Sequence, residues 1–360
     1  MRASTDEDRR NISQQLLGAE GNFQVYFRSY DDLATKYNTF DAPGSLAART
    51  HQDVIFVAKY LMSNPEVKKE ETIAHMQNSW NTFDNVENIL TLAVQAIVMM
   101  DSAAQDWHPA DYALGEYRPI SWLSQESFLS FVERSFPKGP GQMAEKIQEA
   151  FDDRSRLKAW KLQKRLGMKF HITDNLSEHL MLDTKNNILY LFHHAAYLKA
   201  HLAICRGVPL TLGATARESL GHGTHPPQLL VETLHSLQAI LFPSLNKKSS
   251  KVFNTLIRKE GFDPECAQYE GYKLFAEPPQ DFSYVYWGKR IAQLHEVAKS
   301  RPPKNRFEKW FQQWTTERNA LLVALSALLI SIFVGILSII LGSVQVWIAW
   351  MAWKHPVHET

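Results

Sequence analysis

Residues 320–344 read ALLVALSALLISIFVGILSIILGSV, 25 positions without a charged side chain. Wound as a helix at 1.5 Å per residue, they reach about 37 Å, enough to cross a hydrocarbon layer of about 30 Å with some tilt. Trp310 and Trp314 stand before the stretch and Trp347, Trp350 and Trp353 after it. Indole rings favour the headgroup level, so these tryptophans read as two interfacial belts around a transmembrane helix. The other long apolar run, 89–100 (ILTLAVQAIVMM), has 12 residues, a length that suits a buried core helix. One span is therefore expected.

The flanking cations orient it. Arg301, Lys304, Arg306, Lys309 and Arg318 precede the span, against Lys354 behind it. The positive-inside bias then places the residues before the span in the cytosol and the short C-terminus in a lumen or outside the cell. The first residues, MRASTDEDRRNISQQLL, hold charges and no apolar core of a signal peptide. The expectation is a tail-anchored, single-pass protein with a cytosolic head and the lipid bilayer as its first partner. Within the span, Ala327, Ser331 and Gly335 recur every four residues. Small residues at this period let two helices approach closely, so a homodimer through this face is expected.

The whole chain has 360 residues, 45% apolar and 21% charged, with a formal charge of +1. That composition is ordinary for a packed domain, and the neutral balance sets aside nucleic acid as a bulk partner. Two cysteines, Cys205 and Cys266, supply neither a disulfide framework nor a four-cysteine zinc site.

Periodicity and breakers divide the chain into a polar segment at 1–44, a helical region at 45–166, and a mixed region at 167–300. A basic linker follows at 301–319, then the span at 320–344 and a tryptophan-rich tail at 345–360. Helices are expected from about 46 to 62, 83 to 101, 124 to 136 and 143 to 166. In the second half they fall at about 195–205, 229–242, 251–259 and 285–299. Two short runs, KFHIT at 169–173 and ILYLF at 188–192, read as strands, with a short helix from 175 between them. The expected fold is mainly α, a helical head with a small β-α-β insert, plus one C-terminal transmembrane helix.

Catalytic motifs fail on their own residues. Gly221-His222-Gly223-Thr224-His225 copies the histidine segment of subtilisin-type proteases, yet no matching aspartate or serine motif accompanies it. The prolines at 226 and 227 are also expected to bar the helix that normally follows. His295-Glu296-Val297-Ala298-Lys299 has lysine where a zincin requires its second histidine. Gly139-Pro140-Gly141 follows no strand, and Arg217-Glu218-Ser219-Leu220-Gly221 lacks the first glycine of a nucleophile elbow. No catalytic residue and no cofactor is assigned.

Two groupings remain. His171, His179, His193, His194 and His201 lie near Asp174, Glu178 and Asp183. A β-α-β unit can bring imidazoles and carboxylates together, and His171, Asp174 and His193 form the expected metal constellation. Arg154, Lys158, Lys161 and Arg165 align on one face of the expected helix at 143–166, a basic patch suited to an anionic membrane leaflet or an acidic partner.

Four segments, ITDNLSEHL (172–180), FHHAAYLKAHL (192–202), YVYWGKRIAQLHEV (284–297) and QVWIAWMAWKH (345–355), resemble a group of fungal single-pass membrane proteins of uncharacterised function. That resemblance implies a shared architecture and no catalytic residues. Some fungal proteins with C-terminal apolar segments are grouped with CorA-like metal transporters, which need two spans and a Gly-Met-Asn signature. Here the Gly167-Met168 pair is followed by Lys169. The resulting expectation is a non-enzymatic interaction or scaffold protein. The alternatives are a membrane-tethered enzyme using the histidine-rich segment, or a subunit of a transport complex.

Overall fold

The computed structural model describes residues 1–38, 50–80, 86–103, 120–139, 143–208, 210–244, 246–268, 282–300 and 320–354. The cationic flank at 301–318, with Trp310 and Trp314, lies outside them, and for Ala327 and Trp353 the backbone alone is described. The fold is mostly helical, with one small three-stranded sheet. Residues 1–300 and 301–360 form two separate units.

In the first unit the central helix is α5, Val86–Val98, preceded by α1 (Asp6–Ile12), α2 (Gln24–Asn38), α3 (His51–Ser63) and α4 (Lys69–Trp80). It is buried on every face, as its nearly uninterrupted apolar sequence demands. Helices α2, α3 and α4 pack directly on it. Local sequence starts several of these helices: Asp8 reaches back to the Thr5 amide at 3.0 Å and Asp53 to the Thr50 amide at 2.8 Å, both capping-box contacts. The C-terminal carbonyls of α5 are satisfied from a distance. Tyr26 donates its hydroxyl to Ala96, Tyr197 to Ile97, and His225 its Nε2–H to Val98. Met99 follows in the left-handed region at φ 50°.

The polar N-terminal segment contributes to the core through residues before Asn38. Phe23, Tyr26, Phe27, Tyr30 and Ala34 fall at helical spacing on or just before α2 and are all buried. Among the described residues, one core cluster takes in buried side chains from Ile12 to Leu294.

After α6 (Phe128–Ser135) comes α7 (Ala144–Asp152), and here the expected long helix at 143–166 breaks into pieces. A 3-10 turn spans Arg154–Leu157, α8 covers only Ala159–Lys161, and a π-turn runs over Leu162–Leu166 to Gly167 at φ 66°. The physical reason is burial: Leu157 and Ala159 are both fully buried, yet two residues apart on a straight helix they would face nearly opposite ways.

The sheet has the order β1-β3-β2, with β1 at Lys169–Thr173, β2 at Leu182–Asp183 and β3 at Ile188–Phe192. Strands β1 and β3 run parallel, Thr173 opposite Phe192, while β2 pairs antiparallel with β3. Beyond β3 lie α9 (Ala195–Gly207), α10 (Ala216–Gly221), α11 (Pro227–His235), α12 (Lys247–Glu260) and α13 (Gly288–Ser300). The double proline does not bar a helix: α11 begins at Pro227, where the missing N–H is one of those a helix start leaves unbonded.

The second unit contains α14, Ala320–Lys354, 35 residues and so about 52 Å long. Within it Leu328–Met351 has a mean hydropathy of 2.4 and none of it is buried against protein, making this helix long and apolar enough to span a membrane. The helix does not stop at 344. It continues through the tryptophan-rich residues, carrying exposed Trp347 and Trp350, with the Lys354 ammonium 4.8 Å from the Trp350 ring.

Candidate functional site: an aspartate and two adjacent histidines

Because β1 and β3 end in register, the next residue of each strand arrives at the same edge. Asp174 follows Thr173 and His193 follows Phe192. His194 is then turned to the same side by an inverse γ-turn: its φ and ψ are −75° and 71°, and the Ala195 amide donates to the His193 carbonyl at 2.8 Å. Both Nε2 atoms end at one carboxylate oxygen, Asp174 Oδ1, 3.0 Å from His193 and 2.6 Å from His194. The two rings lie 4.3 Å apart between centroids.

Each member is held by its neighbours. His193 packs on Phe262 and His194 on Phe192, and both imidazoles are buried. Asp174 has half of its side chain in solvent, while its backbone carbonyl accepts from Gln95 Nε2 at 3.2 Å. The turn after it is fixed by Asn175, whose Oδ1 accepts from the Ser177 amide at 3.1 Å. Glu178 accepts from the Thr173 hydroxyl at 2.5 Å. Partial burial pushes Asp174 upward, but hydrogen bonds from His193 and His194 outweigh it, and the carboxyl sits well below the usual range. Burial, then the neighbouring His193, lowers His194 to about 4 against the pull of Asp174.

Of the expected constellation, Asp174 and His193 meet and His171 does not. His171 is exposed on β1, edge-on to Tyr190 at 5.3 Å, three residues before Asp174 and so about 10 Å along the strand. His194 takes its place. The parallel register of β1 and β3 makes Asp174 and His193 meet, whereas the place of His194 depends on the turn after β3. His179 is a satisfied core residue: its Nδ1 accepts the Phe192 amide at 3.3 Å, so Nε2–H donates to Ser236 Oγ at 2.7 Å.

The remaining candidates stand elsewhere. His222 is exposed at the end of α10, and His295 lies 3.4 Å from Asp153 with no second histidine on its helix. Burial raises the thiols of Cys205 and Cys266, which makes both poor nucleophiles. Arg154 lies on the 3-10 turn, Lys158 in the extended link after it, and Lys161 and Arg165 on α8 and the π-turn that continues it, so the four do not share one helical face. Burial, then the charges of Arg165 and Lys158, lower the Lys161 ammonium. A cavity of about 290 Å³ opens between α6 and α10, with Glu133, Phe136, Lys138, Thr215 and Tyr286 in its wall, apart from the Asp174 centre.

No protein-family profile matches the chain, and searches of curated proteins and solved structures find no match. The reading of its function therefore rests on its own residues.

Proposed function

We propose that the chain is a single-pass membrane protein whose helical head works in the cytosol as an interaction or scaffold module. The observation that carries this reading is α14: an exposed apolar helix 24 residues long over Leu328–Met351, separate from a head whose own core is closed. Leaving that surface in water would be costly at about 25 cal/mol per Å². Arg301, Lys304, Arg306, Lys309 and Arg318 before the helix, against Lys354 after it, support a cytosolic head. Ser331 and Gly335, exposed on α14, support close pairing with a second copy, together with Ala327 one turn earlier.

Alkaline carbonate extraction of vesicles from expressing cells, followed by external protease, tests the reading. Retention in the pellet and digestion of the head support it, whereas release into the wash or protection of residues 1–300 overturns it. Cross-linking in detergent, with Gly335→Ile as the control, tests the pairing.

A second reading, a membrane-tethered enzyme, draws on the convergence of Asp174, His193 and His194. Its support is the chemistry of these three donors.

A further inference from the structure

We propose that Asp174, His193 and His194 form a binding site for one divalent transition-metal ion, zinc above all, with at least one coordination position left to solvent. The donor atoms, two imidazole nitrogens and one carboxylate oxygen, all lie within 4.8 Å of one another. A tetrahedral ion with bonds of about 2.0–2.1 Å sets its ligands about 3.3 Å apart. The observed N···O separations of 3.0 and 2.6 Å must open by about 0.3 and 0.7 Å to admit it, a movement open to the half-exposed Asp174 side chain.

The chemistry of the set selects the ion. Imidazole with carboxylate suits zinc and its divalent neighbours, whereas calcium and magnesium require shells of oxygen. Preorganisation comes from burial of both rings, the inverse γ-turn between them, and the fixed register of β1 and β3. Access comes from Asp174, half of whose side chain faces solvent. Three protein ligands with an open side resemble an exchangeable or catalytic arrangement more than a closed structural one.

The outer shell limits affinity. Among the described residues, neither His193 Nδ1 nor His194 Nδ1 has a hydrogen-bond partner. Bound through Nε2, each ring would carry its proton on Nδ1, where metal-binding histidines normally meet an acceptor. Absence of such partners costs about 10–100-fold in affinity. The ion held here is therefore labile. The inference does not depend on the membrane anchor and survives if the chain proves not to be membrane-bound.

The test is titration of the untagged full chain, in detergent, with cobalt(II) followed by zinc(II). The expected result is one equivalent of cobalt giving visible d–d bands, displaced by one equivalent of zinc. Asp174→Asn, His193→Gln and His194→Gln should each weaken binding at least 10-fold, while His171→Gln leaves it unchanged. Circular dichroism checks the fold of every variant. If a histidine variant unfolds, Asp174→Asn at its half-exposed position gives the answer by itself. Zinc should also raise the thermal midpoint of the parent chain and not that of Asp174→Asn. Absence of d–d bands, bands that survive Asp174→Asn, or an equal response to magnesium would overturn the proposal.

Discussion

Glu232, buried on α11, accepts the backbone amide of Trp287 at 2.8 Å with one carboxylate oxygen. The same side chain takes the amides of Tyr286 and Val285, at 2.9 and 2.6 Å, so one carboxylate gathers the three N–H groups that lead into α13. Burial nevertheless dominates and raises its pKa from 4.5 to about 7. Between those values the folded state holds a proton that the unfolded chain has released, so this group's contribution falls as pH rises. By linkage the loss reaches about 3 kcal/mol above pH 7. Glu232→Gln removes the titration. The stability of the parent relative to this variant, from urea unfolding at pH 5 and pH 8, should decline with pH, and a constant difference contradicts the assignment.

His225 and His235 slope the other way. Burial lowers each from 6.5 to about 4, with the charge of Arg154 adding to the effect on His235. Both are neutral in the fold, whereas the unfolded imidazoles take up protons below pH 6.5. Their contribution is complete above that pH and is lost as pH falls towards 4, by about 3 kcal/mol each. Replacing His235 with Phe should flatten the loss of stability between pH 6.5 and 4.5, read from thermal midpoints. An unchanged acid slope would remove His235 from the account.

The hydroxyl of Tyr197 closes the end of α5 through its 2.7 Å bond to the Ile97 carbonyl. Tyr197→Phe keeps the ring in the core and leaves that buried carbonyl without its donor. The expected cost is about 1–3 kcal/mol in urea unfolding. Tyr26→Phe, which orphans the carbonyl one residue earlier, should cost a similar amount.

Gly261 ends α12 at φ 76°, where a Cβ would also stand 2.8 Å from an Arg28 guanidinium nitrogen. The left-handed conformation alone costs an ordinary residue about 1–2 kcal/mol. Gly261→Ala should lower head stability by at least that amount. Gly207→Ala, at a position with open space and no positive φ, should be nearly neutral or stabilising.

What could be read in the sequence was whatever nearest neighbours decide. Both long strands lie where their β-type runs fall, and the helix ends expected at about 62 and 205 fall within a few residues of those observed at Ser63 and Gly207. The aromatic stripe Phe23, Tyr26, Phe27, Tyr30 is also helically spaced, but the polar residues around it mask the period. Segments set by distant packing were not legible. Nothing near Lys158 announces the extended backbone at ψ 130° that interrupts the helix, since burying both Leu157 and Ala159 is a demand of the surrounding core. At the candidate site, parallel register could have put Asp174 beside His193. Choosing His194 over His171 required one backbone turn that carries no composition signal.

The remaining prediction concerns α14. Ile336 and Leu337 lie near the middle of Leu328–Met351 and are exposed on adjacent faces. If that stretch crosses a bilayer, both side chains sit far from either interface, where even a long lysine cannot bring its ammonium fully to water. Each lysine there adds about 2.5–3.5 kcal/mol to the apparent cost of insertion. Ile336→Lys with Leu337→Lys should therefore shift the chain from the carbonate-resistant pellet to the soluble or aggregated fraction. The head should keep its circular dichroism spectrum, since neither residue belongs to its core. Lysines at Val346 and Trp347, nearer the end of the helix, should be tolerated far better, because they lie within reach of the headgroups. Equal tolerance at both depths would mean that the helix lies against protein or along a membrane surface and does not span it.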